Sequence, residues 1–369
     1  MNKKTAYAAG TIYTGTDELR HHAVLVADGK IKSLLPSLTI PEDYEVKDYG
    51  DDAIIAPALI DLQIYGAYQR LLSLYPDAFT VSEIARYSKE GGAAWCMPTV
   101  ATNTYDTIFK CIDAIKEYWK EDGLGVLGLH AEGPWISPAQ RGAHNPDWIF
   151  SPTVEQAREL LEYGKDIIKV ITLAPEECSR EVINLVQSYN VVVSAGHSNI
   201  TYEKAVDCFD EIGINTVTHL YNAMSGLHHR KPGVVGAVLD HSTVKAAIIP
   251  DGLHVNFAPI RIAKKILGER LFAITDAVTT TTEGWYRHQF EGDRYTSNGI
   301  LSGSALTMHK AFVNLVQKAN IPIAEALRMC SLYPARVIRQ SDEIALLKKD
   351  YPVQMIVMNA DLKLVETIG

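Results

Sequence analysis

Cysteine is sparse in this chain. The five present, Cys96, Cys111, Cys178, Cys208 and Cys330, are scattered, odd in number and never spaced as Cys-x-x-Cys. That excludes a disulfide framework and fits free thiols in a reducing compartment. Positive charge is in deficit too: 35 Lys and Arg stand against 44 Asp and Glu, a net charge of −9. A general nucleic-acid binder would need a basic face. An anionic small molecule is not excluded, since a few local arginines and histidines can hold one phosphate. No apolar run is long enough to span a membrane. Lys3 and Lys4 are followed by no apolar segment of the kind a secretion signal needs. Repeats and low-complexity tracts are also lacking. The expectation is a soluble cytoplasmic protein with neither nucleic acid nor membrane as partner.

What the chain does have is length and a regular alternation. At 369 residues and 47% hydrophobic, it can bury a large core. Eight apolar runs recur, at residues 56–64, 93–99, 125–130, 167–173, 191–195, 215–218, 245–249 and 271–275. Helical patterns at 81–90, 105–119, 153–163, 177–189, 201–213 and 258–267 fill most gaps, and 220–244 reads as a long loop before a short helix. Eight strands alternating with helices predict an α/β fold, a closed (β/α)8 TIM barrel. An open doubly wound sheet would show a glycine-rich loop after its first strand, and Gln63-Ile64-Tyr65-Gly66 is not one. The ends look different. Residues 23–26 and 30–34 flank an Asp28-Gly29 turn, and residues 355–358 and 362–365 flank 359–361, both hairpin signals. Neither end has enough apolar residues for its own core. The expectation is a small β-sandwich domain formed by both termini, 1–54 plus 342–369, beside a barrel at 55–341.

The proposed strand tips carry polar residues. They offer Asp61 and Gln63, then His130 and Glu132, His197, His219, Asp251 and His254, and finally Asp276. In a barrel these tips converge on one mouth, and carboxylates and imidazoles are costly to bury unpaired. His197, His219 and Glu132 are two imidazoles and a carboxylate on three rigid strands. That is a good ligand set for zinc or another borderline divalent ion, with a position left for water. Asp276 is then the candidate base for that water's proton, to be handed later to a leaving nitrogen. His144, on the loop after the third strand, is either an oxyanion donor or simply solvated. The loop of His228, His229, Arg230 and Lys231 is either a phosphate arm or a solvated surface.

These motifs, in order, resemble the N-acetylglucosamine-6-phosphate deacetylase family of the amidohydrolase superfamily. The matching pieces are His130-Ala131-Glu132-Gly133-Pro134 with Gly142-Ala143-His144-Asn145-Pro146, then Ser194-Ala195-Gly196-His197-Ser198-Asn199 and Thr218-His219-Leu220-Tyr221-Asn222-Ala223-Met224. Arg230-Lys231-Pro232-Gly233, Asp251-Gly252-Leu253-His254-Val255, Thr275-Asp276-Ala277 and Leu301-Ser302-Gly303-Ser304-Ala305-Leu306-Thr307 follow. The resemblance implies hydrolysis of the acetamide of N-acetylglucosamine 6-phosphate to acetate and glucosamine 6-phosphate. It implies Glu132, His197 and His219 as metal ligands, Asp276 as base and then acid, and His144 as the group that polarises the carbonyl. It also implies Asn222, Ala223, Arg230 and His254 around the sugar phosphate, with the backbone near Leu301 and Gly303 closing over the sugar. Arg230 would reach the neighbouring site of a homodimer, an arrangement a twofold interface permits.

Departures from the resemblance matter. Many amidohydrolases have His-x-His at the first tip and bind two metals, whereas Gln63 and Tyr65 here are weak ligands. The expectation is therefore one divalent ion per subunit, zinc first, with Fe2+, Co2+ or Mn2+ as alternatives, and Gln63 hydrogen-bonded to its water. Lys169 sits near the start of the fourth strand, too far from the tips to bridge two metals as a carboxylated lysine. The loops at 225–229 and 278–284 are unusual and bear on the sugar epimer. A galactosamine-epimer deacetylase, or a metal-free binding protein on the same fold, are the competing readings.

Overall fold

The computed structural model describes residues 4–369. The terminal segments meet in one seven-stranded mixed sheet. Its neighbours run Leu364–Ile368, Met355–Met358, Ile54–Pro57, Lys4–Tyr13, Glu18–Ala27 and Lys30–Pro36, with Glu45–Asp48 also paired to Lys4–Tyr13. Asp28 and Gly29 both take positive φ, 56° and 68°, the twist that a two-residue hairpin turn requires. Ile12, Val24, Ile31, Ile55, Met355 and Val357 form the main apolar cluster on this sheet.

The barrel strands are β1 (Leu59–Ile64), β2 (Ala93–Ala101), β3 (Leu129–Glu132), β4 (Ile168–Leu173), β5 (Val192–Ala195), β6 (Thr216–Val217), β7 (Lys245–Ile248) and β8 (Leu271–Ala273). Each pairs in parallel with the next. The ring closes between β1 and the chain leaving β8: Tyr65 N donates to Ala277 O at 2.9 Å and Asp276 N to Gln63 O at 3.0 Å. The first apolar run, read as a single strand, is split. Ile54–Pro57 pairs with Met355–Met358 in the terminal sheet, and only Leu59–Ile64 belongs to the barrel. Pro57 has no N–H to continue a ladder, and Ala58 N turns to Gln354 O.

Most of the helices start on side-chain caps, the exception between β6 and β7 being Gly233–Asp240, which follows Pro232 without one. Asp77, Thr104, Thr153, Ser179, Thr201, Asn256 and Thr307 each accept from a backbone N–H of the first turn, which satisfies donors a helix start leaves open. One contiguous apolar core joins barrel and helices. The segment after β8 departs from the simple pattern. Residues 278–304 build a small antiparallel sheet of Gln289–Phe290, Arg294–Ser297 and Ile300–Ser304. Among the described residues, no helix is long and apolar enough to cross a membrane.

Candidate active site

The ends of β3, β5 and β6 bring Glu132, His197 and His219 together, all buried. His219 Nε2 lies 3.0 Å from Glu132 Oε1 and 3.1 Å from His197 Nε2, and His197 Nε2 lies 3.3 Å from Glu132 Oε1. His197, His219 and Asp276 all adopt left-handed backbone, with φ of 48°, 34° and 55°. Such conformations cost about 1–3 kcal/mol each and persist where surrounding structure imposes them, often at functional sites. Gly303 shows how tightly Asp276 is fixed. A Cβ on Gly303 would fall 2.5 Å from Val278 and 3.1 Å from the Asp276 carbonyl oxygen, which instead accepts Ser304 N at 2.9 Å.

The trio fits a divalent cation. His197 Nδ1 faces the Gln140 carbonyl at 2.9 Å. A carbonyl only accepts, so Nδ1 carries the hydrogen and Nε2 presents a lone pair. That lone pair meets a carboxylate oxygen and a second imidazole nitrogen, a cluster of ligand atoms that a cation would satisfy at once. Four ligands at about 2.0–2.1 Å from zinc stand about 3.3 Å apart along each tetrahedral edge, close to the 3.0–3.3 Å separations here.

Two carboxylates face this centre. Burial alone would raise Glu132, but the imidazoles of His197, His144 and His219 around it hold it well below the usual carboxylate range. Asp276 is pushed up by burial and by the Glu132 charge. Gln63 Nε2 donates to Asp276 Oδ1 at 2.7 Å and to Glu132 Oε1 at 3.0 Å, and Tyr65 Oη donates to Glu132 Oε2. The first tip, poor in metal ligands, thus supplies donors to both acids. His144 Nε2 lies 3.3 Å from Glu132 Oε2, and its Nδ1 lies 2.7 Å from Thr102 Oγ1. Burial first, and then the His197 imidazole beside it, hold His144 down to about 4, so its ring is neutral. With an acceptor-only carboxylate before it, Nε2 carries the proton.

Comparison with known proteins agrees with this geometry. The sequence model of the amidohydrolase family matches residues 54–367, and that of the NagA composite domain matches residues 6–50. The chain belongs to the amidohydrolase family. The N-acetylglucosamine-6-phosphate deacetylase of Haemophilus influenzae is 33% identical, over 97% of this chain and 96% of that protein. The N-acetylgalactosamine-6-phosphate deacetylase of Escherichia coli O157:H7 is 30% identical, over 93% and 92%. The crystal structure of N-acetylglucosamine-6-phosphate deacetylase from Pasteurella multocida superposes with a TM-score of 0.93 at 31% identity, covering 99% of this chain and 98% of that one.

In this amidohydrolase a cavity of about 290 Å³ opens above Glu132, His197, His219 and Asp276. His144, Asn222, Ala223, His254, Leu301 and Gly303 line it. His254 Nδ1 is 2.5 Å from Asp251 Oδ2, which fixes the ring. Gln63 lies beneath the lining, bonded to the acids. Arg230 is exposed and does not line the cavity of its own chain. The unusual loops have local explanations. Ser225 Oγ donates to Ile200 O and accepts Val234 N. Thr279 Oγ1 accepts Gln69 N, and Thr281 Oγ1 donates to Tyr286 O while accepting His288 N. Sequence reasoning missed Thr102, Tyr286 and His288, and read Ser302 only as part of the backbone stretch at 301–304. The available signal was Trp285-Tyr286-Arg287-His288, a dense aromatic and imidazole run inside a polar loop.

Proposed function

We propose that this chain removes the acetyl group from N-acetylglucosamine 6-phosphate, giving acetate and glucosamine 6-phosphate. The observation that carries this reading is the buried Glu132, His197 and His219 trio facing Asp276 inside a cavity. One divalent ion on that trio would supply an acidified water and polarise the amide carbonyl. Imidazole with carboxylate suits zinc, and also Fe2+, Co2+ or Mn2+.

The chain's own groups do the rest. Asp276 takes the proton of the attacking water and passes it to the departing amine nitrogen. Its raised affinity for a proton, from burial and the Glu132 charge, suits that exchange. His144 Nε2–H donates to the carbonyl oxygen as negative charge gathers there. Gln63 and Tyr65 hold Glu132 and Asp276 in place. Asn222, Ala223 and His254 hold the sugar phosphate, and the backbone at Leu301 and Gly303 covers the sugar. Arg230 serves the neighbouring subunit's site in a homodimer, and the enzyme works in the cytoplasm.

Protein carrying about one divalent ion should release acetate from the 6-phosphorylated sugar and only poorly from the unphosphorylated one. Equal rates on both would refute phosphate recognition. A second reading, the galactosamine epimer, is supported by relatives of both names at 33% and 30% identity. Side-by-side kcat/KM on the two 6-phosphates separates them.

A further inference from the structure

The hairpin segment after β8 brings a histidine to the cavity that the reaction above does not use. His288 is 4% exposed and lines the cavity together with Ser302 and Tyr286. Its backbone is pinned on both sides: His288 N donates to Thr281 Oγ1 at 3.0 Å, and His288 O accepts Thr281 N at 3.1 Å. Its ring lies nearly parallel to that of Tyr286, at 14° and 6.2 Å between centroids. Tyr286 is anchored in turn by its hydroxyl on Thr102 O at 2.6 Å. His288 Nδ1 contacts Ser302 Oγ at 2.9 Å, and Nε2 has no partner among the described residues. A rigidly held ring nitrogen without a protein partner, on a side chain that lines the cavity and is not sealed inside the protein, is available to a polar group of a bound molecule.

We propose that the His288 and Ser302 pair is a specificity element that reads the 3- or the 4-hydroxyl of the hexosamine ring. The inference rests on the sugar-phosphate deacetylase reading. The chemistry matches. Burial keeps the imidazole neutral, so its two nitrogens are one donor and one acceptor. The serine hydroxyl can give or take the proton of Nδ1, leaving Nε2 free to be either partner. A sugar hydroxyl, also donor and acceptor, satisfies such a pair in both settings, whereas a phosphate would call for a cation.

The test uses full-length protein loaded with one divalent ion, as wild type, His288→Phe, His288→Asn and Ser302→Ala. Each is assayed on the better of the two epimeric N-acetylhexosamine 6-phosphates and on its 3-deoxy and 4-deoxy analogues. His288→Phe should lower kcat/KM on the parent about 10- to 100-fold, mainly through KM, since it leaves a buried hydroxyl unpaired. One deoxy analogue, already poor for wild type, should suffer no further loss in His288→Phe. His288→Asn should recover part of the loss. With an active wild type, equal losses on all three substrates, or no loss on any, would overturn the inference. A wild type inactive on every N-acetylhexosamine 6-phosphate would instead overturn the parent reading and this one with it.

Discussion

Replacing Tyr65 by Phe removes a single oxygen atom from the floor of the site. That oxygen donates to Glu132 Oε2, receives Gln63 Nε2 at 2.7 Å and lies 3.3 Å from Asp276 Oδ1. Without it, Glu132 Oε2 keeps only the His144 contact at 3.3 Å. A hydrogen bond to a charged group contributes about 1.5–3 kcal/mol. Metal-free Tyr65→Phe should therefore be less stable than wild type by about 2 kcal/mol, which in a chain of this length lowers Tm by about 2–4 °C. A bound divalent ion compensates the same carboxylate, so the deficit should shrink on loading. Adding the ion should then raise Tm more in the variant than in wild type. Calorimetry on both proteins, with and without stoichiometric zinc, gives the four values needed. An unchanged metal-free Tm, or an equal deficit in both forms, would refute the idea that the phenol compensates Glu132.

Three other outcomes are expected. Asp276→Asn should keep one bound ion, because Asp276 is outside the ligand trio, yet lose about 10²–10⁴ in turnover as a missing general base does; loss of the ion would reassign it as a ligand. Arg230→Ala should raise KM for the 6-phosphate about 10-fold or more, and mixing it with Asp276→Asn should restore activity in hybrid dimers; no recovery argues against a shared site. His130 and His288 are held down to about 4, chiefly by burial. Unfolded imidazoles titrate near 6.5, so the unfolded chain binds more protons between pH 6.5 and 4, and stability falls as pH falls through that window. The loss from pH 7 to 5 is about 2 kcal/mol per histidine. Denaturant unfolding at both pH values should show it, diminished by about 2 kcal/mol in His288→Asn, and an identical pH response in that variant would contradict the assignment.

The barrel was legible because its strands are short apolar runs with polar tips, and because helical patterns fill most of the gaps between them. The metal trio was legible for the same reason: His197 and His219 end consecutive strands, and β3 ends on Glu132. The split at Pro57 was not, since 56–64 reads as one apolar run and only pairing with Met355–Met358, some 300 residues away, divides it. Gln63 and Tyr65 were read chiefly by what they cannot do, bind a second metal. Their work as donors to Glu132 and Asp276 depends on the β1 and β8 tips meeting, which is a tertiary fact. The segment at 278–304 hid its structure most fully. Its threonines look like a solvated loop, yet Thr279 and Thr281 are buried backbone partners that fold Tyr286 and His288 over the mouth.

The central claim is that one divalent ion on Glu132, His197 and His219 drives deacetylation of a hexosamine 6-phosphate. Its most direct test is one titration. Metal-free protein receives increasing zinc while bound ion and acetate release from N-acetylglucosamine 6-phosphate are followed together. Activity that rises linearly and levels off at one ion per chain is the predicted result. Full activity before any ion is added, or a plateau only at two ions per chain, would contradict it.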